Sequence, residues 1–335
     1  MTSLNKTISD SRDDTQLADT YSQHLTDVLI ETGRVIYGQQ NAIKQILASL
    51  LSGGHALLVG APGLGKTKLV TTLSTVMGLS AKRIQFTPDL MPADITGSEI
   101  LDEDQHGKRH FRFIPGPAFC QLVMADEINR ASPRTQSALL QAMQEKCISI
   151  AGKDYPLPAP FHVLATQNPI EQEGTYPLPE AQLDRFMVQI DLTYPDHDTE
   201  KAMLLATTCA EEITPRNILS PEMLIQAQSL VRRLPIGNDL IDSVIRLIRN
   251  ARPETSTDPF IQQNIAWGPG PRAAQALMLL IRAKALIDGR LAPSQDDLVA
   301  LAPAVLRHRI ALTFAAKAEN IRLDNIIQTL LQKSV

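Results

Sequence analysis

The stretch Gly60-Ala61-Pro62-Gly63-Leu64-Gly65-Lys66-Thr67 fits the pattern G-x-x-x-x-G-K-[ST] and constrains the rest of the chain. The apolar run Ala56-Leu57-Leu58-Val59 precedes it and reads as a buried strand. Lys66 to Met77 follows it and reads as a helix, with Leu69, Val70, Leu73 and Val76 on one face. A Gly-rich turn between strand and helix lets the backbone curl around an anion with its N–H groups turned inward. The positive end of the helix faces the same anion. Gly60, Ala61, Pro62, Gly63, Leu64, Gly65, Lys66, Thr67 and Lys68 are therefore expected to contact a nucleotide, Lys66 at the β- and γ-phosphates. The Thr67 hydroxyl is expected on Mg²⁺.

Length and charge bound the alternatives. The chain has 335 residues, which suggests two or three domains, and 44% hydrophobic residues, enough for buried cores. A net charge of −4 argues against a protein that coats nucleic acid. Cys120, Cys147 and Cys209 are far apart and form no C-x-x-C pair, so reduced thiols in a reducing compartment are expected. No stretch resembles a signal peptide or is long enough to span a bilayer, so the expectation is a soluble, cytoplasmic protein.

Along the chain, residues 1–20 are polar and are expected to be a flexible N-terminus. A helix is expected from Tyr21, and a second from Gln40 to Leu51. Between them, Val35-Ile36-Tyr37-Gly38-Gln39 either covers a nucleotide base or is an ordinary turn, and spacing alone does not choose. A short strand at Arg83–Phe86 is followed by a long insertion, Thr87–Gly116. Its segments Ser98–Leu101 and Arg109–Ile114 flank a polar tip at Asp102–Gly107, a hairpin signal. Phe111 and Phe113 should share one face of that hairpin, and the tip should be mobile. His106 and His110 read as surface histidines with no third ligand for a metal.

Leu122-Val123-Met124-Ala125-Asp126-Glu127 is an apolar strand ending in two carboxylates, the natural partners of the glycine loop. Asp126 is expected in the Mg²⁺ shell, and Glu127 is expected to polarise the attacking water. Ser132-Pro133 reads as a cap and first residue of a helix to about Glu145. A small hairpin spans Cys147–Leu157. A strand from Phe161 ends at Asn168, whose amide can hold the water or a γ-phosphate oxygen. The segment Ala181–Arg185 precedes a fifth strand, Phe186–Ile190. Arg185 is either an arginine finger or a solvated charge beside Asp184. Strands alternating with helices predict a three-layer αβα parallel sheet over residues 21–209. Residues 210–335 repeat apolar positions at helical spacing and predict an all-helical domain. In it, Pro271 opens a helix and puts Arg272 in the first turn, where only a nearby anion makes a cation favourable.

These pieces together resemble the AAA+ ATPases, and within them the MoxR-like group, from about Tyr21 to about Thr313. Gly60–Thr67 is similar to Walker A, and Asp126-Glu127-Ile128-Asn129-Arg130-Ala131 to Walker B. Ala165-Thr166-Gln167-Asn168-Pro169 is similar to sensor 1. Leu178-Pro179-Glu180-Ala181-Gln182-Leu183-Asp184-Arg185-Phe186 resembles the arginine-finger segment. Gly268-Pro269-Gly270-Pro271-Arg272 resembles sensor 2, although the family more often carries a small residue at the positions of Pro269 and Gly270. Val35–Gln39 looks like the linker over the adenine, which adds Gly38 and Gln39 to the nucleotide contacts. Thr87–Gly116 is similar to the helix-2 insert of the clade that also holds magnesium chelatase motors and some helicases. The resemblance implies ATP and Mg²⁺ as ligands. It implies catalytic roles for Glu127, Asn168, Arg185 and Arg272, and a ring, usually hexameric. The expected work is remodelling, maturation or activation of a partner protein, commonly one with a von Willebrand factor A domain. A helicase-like or chelatase-like motor is the alternative.

Overall fold

The computed structural model describes residues 2–103, 109–170, 174–208 and 213–334, with side chains from residue 14 onward. The chain opens with two helices, α1 (Thr2–Gly33) and α2 (Gln40–Leu51). A helix was expected only from Tyr21. The helix begins well before Tyr21, and its second half is docked. Ala18, Tyr21, Leu25 and Val28 are buried at helical spacing. The Tyr21 hydroxyl donates to Gln226 at 2.6 Å, and Asp14 pairs with Arg233 at 2.8 Å.

Strand β1 (Ala56–Val59) leads through the glycine loop into α3 (Lys66–Val76) and then β2 (Ala81–Gln85). The insertion follows as α4 (Pro92–Thr96), β3 (Gly97–Glu103) and β4 (Arg109–Pro115). The two strands pair antiparallel from Gly97↔Pro115 to Glu103↔Arg109. Most of the expected tip, with His106, lies outside the described residues. Next come β5 (Leu122–Asp126), α5 (Pro133–Glu145), the hairpin β6 (Cys147–Ile150) and β7 (Lys153–Pro156), and β8 (His162–Gln167). Helix α5 starts as its sequence dictates, with Ser132 accepting the Thr135 N–H and Pro133 as first residue. The short α6 (Glu180–Leu183), β9 (Val188–Asp191) and α7 (His197–Thr207) complete the core.

Five strands form one parallel sheet in the order β2-β5-β8-β1-β9. Both faces of the inner strands β5, β8 and β1 are covered, so these strands are mostly apolar, and successive residues enter different cores; the edge strand β2 is mostly polar and exposed. Ala56, Leu58, Leu122, Met124, Leu164, Val188 and Ile190 point to the face that holds α1, α2 and α3. Leu57, Val123, Ala125, Val163 and Ala165 point to the face that holds α5.

The C-terminal part is helical, as expected: α8 (Pro221–Arg233), α9 (Asn238–Asn250) and α10 (Pro259–Asn264), then α11 (Pro271–Ile287) and α12 (Gln295–Leu306), and finally α13 (Phe314–Ala318) and α14 (Leu323–Ser334). It also contains a small antiparallel pair, β10 (Ile265–Trp267) and β11 (Ala311–Leu312), too short to show in the apolar pattern. Buried residues of α8, α9, α11, α12 and α14 belong to the same hydrophobic core as α1, α2 and one face of the sheet.

Candidate nucleotide-binding site

Strand β1 delivers the glycine loop to the carboxyl edge of the sheet, where open α/β folds place their ligands. The Gly60 N–H donates to the Gln167 carbonyl at 3.2 Å, which fastens the loop to β8. A Cβ on Gly60 would lie 3.0 Å from the Leu192 Cβ and 3.1 Å from its carbonyl oxygen, so a side chain there would lift the loop off the exit of β9. Gly63 and Gly65 have φ of +83° and +72°, a region that strains other residues. Gly65 is the residue before α3, so the positive N-terminal end of that helix faces the loop. The Lys66 ammonium folds back onto the Gly60 and Ala61 carbonyls at 2.6 and 3.4 Å, inside the loop. Thr67 is exposed in the first turn of α3.

The linker Val35–Gln39 meets this loop in one cleft of about 270 Å³. Val35, Ile36, Tyr37, Leu64, Tyr194 and Met203 give it apolar walls, and Gly63, Gly65 and Lys68 line its loop end. Two features hold the linker there. The Gln39 amide donates to the Thr193 carbonyl at 2.9 Å. Gly38 has φ +71°, and a Cβ would lie 2.8 Å from Thr199 Cγ2 and 2.9 Å from Pro195 Cβ, so only glycine fits. An apolar cleft ending at a glycine loop that carries a cation suits a purine nucleotide with its phosphates on the loop. The oxygen donors Thr67 and Asp126 suit a hard divalent cation such as Mg²⁺.

The carboxylates close β5, which is separated from β1 by β8. Asp126 is 7% exposed. Its Oδ1 accepts the Thr166 hydroxyl at 2.6 Å, and its Oδ2 accepts two N–H groups of Arg83 at 2.6 and 3.0 Å. Glu127 adopts φ 56°, ψ 50°, a left-handed conformation unusual for a non-glycine residue. Its N–H donates to the Thr166 hydroxyl at 2.8 Å. Its carboxylate accepts from Gln85 at 2.8 Å and Arg130 at 3.0 Å. Thr166, Arg83 and Gln85 carry these carboxylates, and none was given a role by the sequence reading. Thr166 lies within the Ala165–Pro169 motif, while Arg83 and Gln85 alternate on β2 with no distinguishing pattern.

Asn168 is buried at the end of β8, beside β1 in the register Val59↔Gln167, and its side chain accepts the Ile170 N–H at 3.1 Å. Arg185 lies elsewhere. Its guanidinium donates to the Leu140 carbonyl of α5 at 2.7 Å and lines a separate cleft of about 260 Å³ with Ser137, Gln141, Gln144 and Gln182. Asp184 is not its partner; Asp184 pairs with Arg309 at 2.7 Å and faces Arg272 at 3.7 Å. Arg272 is the second residue of α11, half exposed, and the anion beside that helix start is the Asp184 carboxylate. Among the described residues no group of three His, Cys, Asp or Glu could hold a metal on its own side chains. Cys120 and Cys147 are free thiols, and burial pushes the Cys120 thiol up; Cys209 lies outside the described residues. No helix among the described residues is long and apolar enough to cross a membrane.

A five-stranded parallel sheet with a glycine loop after β1, paired acids after β5 and a helical lid defines an ATPase of the P-loop class. Residues 55–188 match the ATPase family associated with various cellular activities (AAA), and residues 260–330 match the AAA lid domain. Chaperone MoxR1 of Mycobacterium tuberculosis is 40% identical over 312 residues, which span 92% of this chain and 81% of that protein. Protein MoxR of Methylorubrum extorquens is 29% identical, with 84% of this chain and 86% of that protein covered. A crystal structure of a Cytophaga hutchinsonii protein superposes with a TM-score of 0.88 at 38% identity, covering 98% of both chains. The chain belongs to the MoxR-like AAA+ ATPases.

Proposed function

We propose that this ATPase works as a ring, a hexamer in the usual family form, and hydrolyses Mg²⁺-ATP at the seams between subunits. The observation that carries this reading is the direction of Arg185. It lines a different cleft from the glycine loop of its own chain, which supports a role on a neighbour's nucleotide. The core of residues 21–209 would hold the nucleotide and the lid of residues 210–335 would close over the base. Val35–Gln39 and Tyr194 would enclose the adenine, and Lys66, Lys68 and the loop N–H groups would bind the phosphates. Thr67 and Asp126 would hold Mg²⁺, which supplies charge neutralisation at the β- and γ-phosphates when bound. Glu127 would orient and polarise the water, and Asn168 would fix the water or a γ-phosphate oxygen. The Arg185 of the adjoining subunit, with Arg272, would stabilise charge that builds up in the transition state.

The cycle would drive remodelling or activation of a partner protein, a von Willebrand factor A domain protein by analogy with the family. The Mycobacterium relative is named a chaperone, which supports work on other proteins. A net charge of −4 gives no basic field for a nucleic-acid track. Free Cys120 and Cys147 suit the cytoplasm. Turnover per subunit measured over a dilution series, with mass determination at each concentration, tests the seam. Activity is expected to fall as the ring dissociates. Undiminished turnover by a strictly monomeric preparation refutes the shared site.

A further inference from the structure

Arg309 is the bulkiest of the fully buried side chains among the described residues, at 1% exposure. It follows α12 in a short 3₁₀ turn of the lid. All five of its N–H donors are used. Nε donates to Asp184 Oδ1 at 2.7 Å. One terminal nitrogen donates to the carbonyls of Val305 at 2.7 Å and Met187 at 3.1 Å, the other to those of Phe186 at 2.7 Å and Asp184 at 3.3 Å. The neighbouring His308 Nε2 also donates to the Phe186 carbonyl, at 3.0 Å. Four of these five acceptors belong to the short stretch 184–187, and Arg185 lies inside it. A rigid planar fork can satisfy that set, whereas a lysine has three donors and no fixed plane. On the other side of Asp184, Oδ2 faces Arg272 at 3.7 Å, a longer contact from a half-exposed side chain. Asp184 therefore has two arginine partners from the lid, Arg309 close and Arg272 more distant.

We propose that Arg309 is a positioning residue for Arg185: it clamps the backbone of 184–187 so that the guanidinium of Arg185 is presented to the neighbouring subunit. This rests on the reading of Arg185 as a finger acting across the seam. Arg309 lines neither cleft and acts through the carbonyls that flank the finger and the Asp184 carboxylate. A misplacement of about 1 Å in such a group costs on the order of 10²-fold in rate.

Rings of Arg309→Lys are expected to keep the parental KM for ATP while kcat falls by about 10²-fold. Mixing them with Lys66→Ala subunits separates positioning from general damage. The Arg309→Lys subunit keeps its own nucleotide site, and the Lys66→Ala neighbour supplies an intact finger, so the mixture should recover turnover that neither form shows alone. Arg185→Ala mixed with Lys66→Ala is the control. Recovery in both mixtures supports the proposal. Recovery in the control alone overturns it and leaves Arg309 a packing residue, as does parental kcat in uniform Arg309→Lys rings. No recovery in the control refutes the finger itself, and the proposal falls with it. If Arg309→Lys does not fold by circular dichroism, Asp184→Asn enters the same mixing series. It retains the backbone carbonyl acceptors and one side-chain oxygen and loses the charge and the second acceptor oxygen, and the same outcomes decide.

Discussion

The Thr166 hydroxyl donates to Asp126 Oδ1 at 2.6 Å and, from the same atom, accepts the N–H that follows Asp126 in the chain at 2.8 Å. One side chain of β8 thus sets both carboxylates at the end of β5. The left-handed backbone of Glu127 costs about 1–3 kcal/mol for a non-glycine residue and persists only when its surroundings over-determine it. Thr166→Val keeps the shape and removes both bonds. It should lower stability by about 1–3 kcal/mol and sharply reduce turnover, because Glu127 loses its fixed direction. Thr166→Ser should retain most of both. Thermal melts and steady-state ATPase rates check this, and a fully active Thr166→Val would remove Thr166 from the site.

Glu127→Gln should bind ATP and lose turnover, since the amide keeps the size but cannot polarise water. Lys66→Ala should lose binding itself. A fluorescent nucleotide separates the two effects. Parental hydrolysis by Glu127→Gln would show that another group activates the water.

Arg83 places two donors on the Asp126 oxygen at 2.6 and 3.0 Å. A carboxylate oxygen held by a guanidinium is a poorer ligand for a second cation. Arg83→Gln should therefore lower the Mg²⁺ concentration needed for half-maximal nucleotide binding, read by fluorescence and not by turnover. An unchanged or higher midpoint would show that Arg83 does not compete for Asp126.

The two phenylalanines of the insertion have parted company. Phe113 stacks on Tyr155 at 4.1 Å and meets Phe119 edge-on at 5.4 Å, whereas Phe111 is 71% exposed opposite Leu101. Phe111→Ala should change stability by less than about 0.5 kcal/mol, and Phe113→Ala by more. Phe111→Ala and deletion of residues 102–107 should leave basal ATPase activity intact. Both should weaken capture of a purified von Willebrand factor A domain protein from the same genome by the ATP-trapped Glu127→Gln ring. Equal capture would take the insertion out of partner binding.

His55 and His162 are buried with every ring nitrogen committed. His55 Nδ1 accepts the Val163 N–H at 2.9 Å and its Nε2 donates to Met143; His162 Nδ1 donates to Gly54 at 2.8 Å and its Nε2 accepts from Gln228. Burial pushes them down to about 3 and about 4. Both stay neutral when folded and take protons when unfolded near 6.5, so their contribution is present above that pH and is lost below it. Each destabilises the folded state further with every pH unit below that until its folded value is reached. Glu31 adds to the loss at lower pH, because Arg216 holds its carboxyl down at about 2. Urea midpoints at pH 7.5, 6 and 5 should fall steadily. A flat profile would contradict the neutral, buried pair.

Much of this was legible because the chemistry is local. Gly60–Thr67 and Asp126-Glu127 are contiguous, and the caps at Ser132 and Pro133 sit beside the helix they start. What stayed hidden couples distant residues. Thr166 meets Asp126 across 40 positions, and Arg309 meets Asp184 across 125. An arginine in a helical stretch carries no sign of whether it will face water or close over a loop. The part of the N-terminal helix before Tyr21 went unread for a related reason. Its first half has no apolar repeat, and Asp14 is held by Arg233, 219 residues away.

The continuity of one hydrophobic core from α1 and α2 through the sheet face into α8, α11 and α14 has a consequence for how the chain comes apart. Catalytic core and lid are not two beads on a string. A fragment stopping after β9 would lay open the apolar faces of α1 and α2 that α8 and α11 now cover, and β9 where α12 packs on it, an adhesive surface of the kind that drives aggregation. The helices beyond residue 213 act in that sense as an internal chaperone for the core. Heat or urea should melt the whole chain as one cooperative unit, not core and lid in turn.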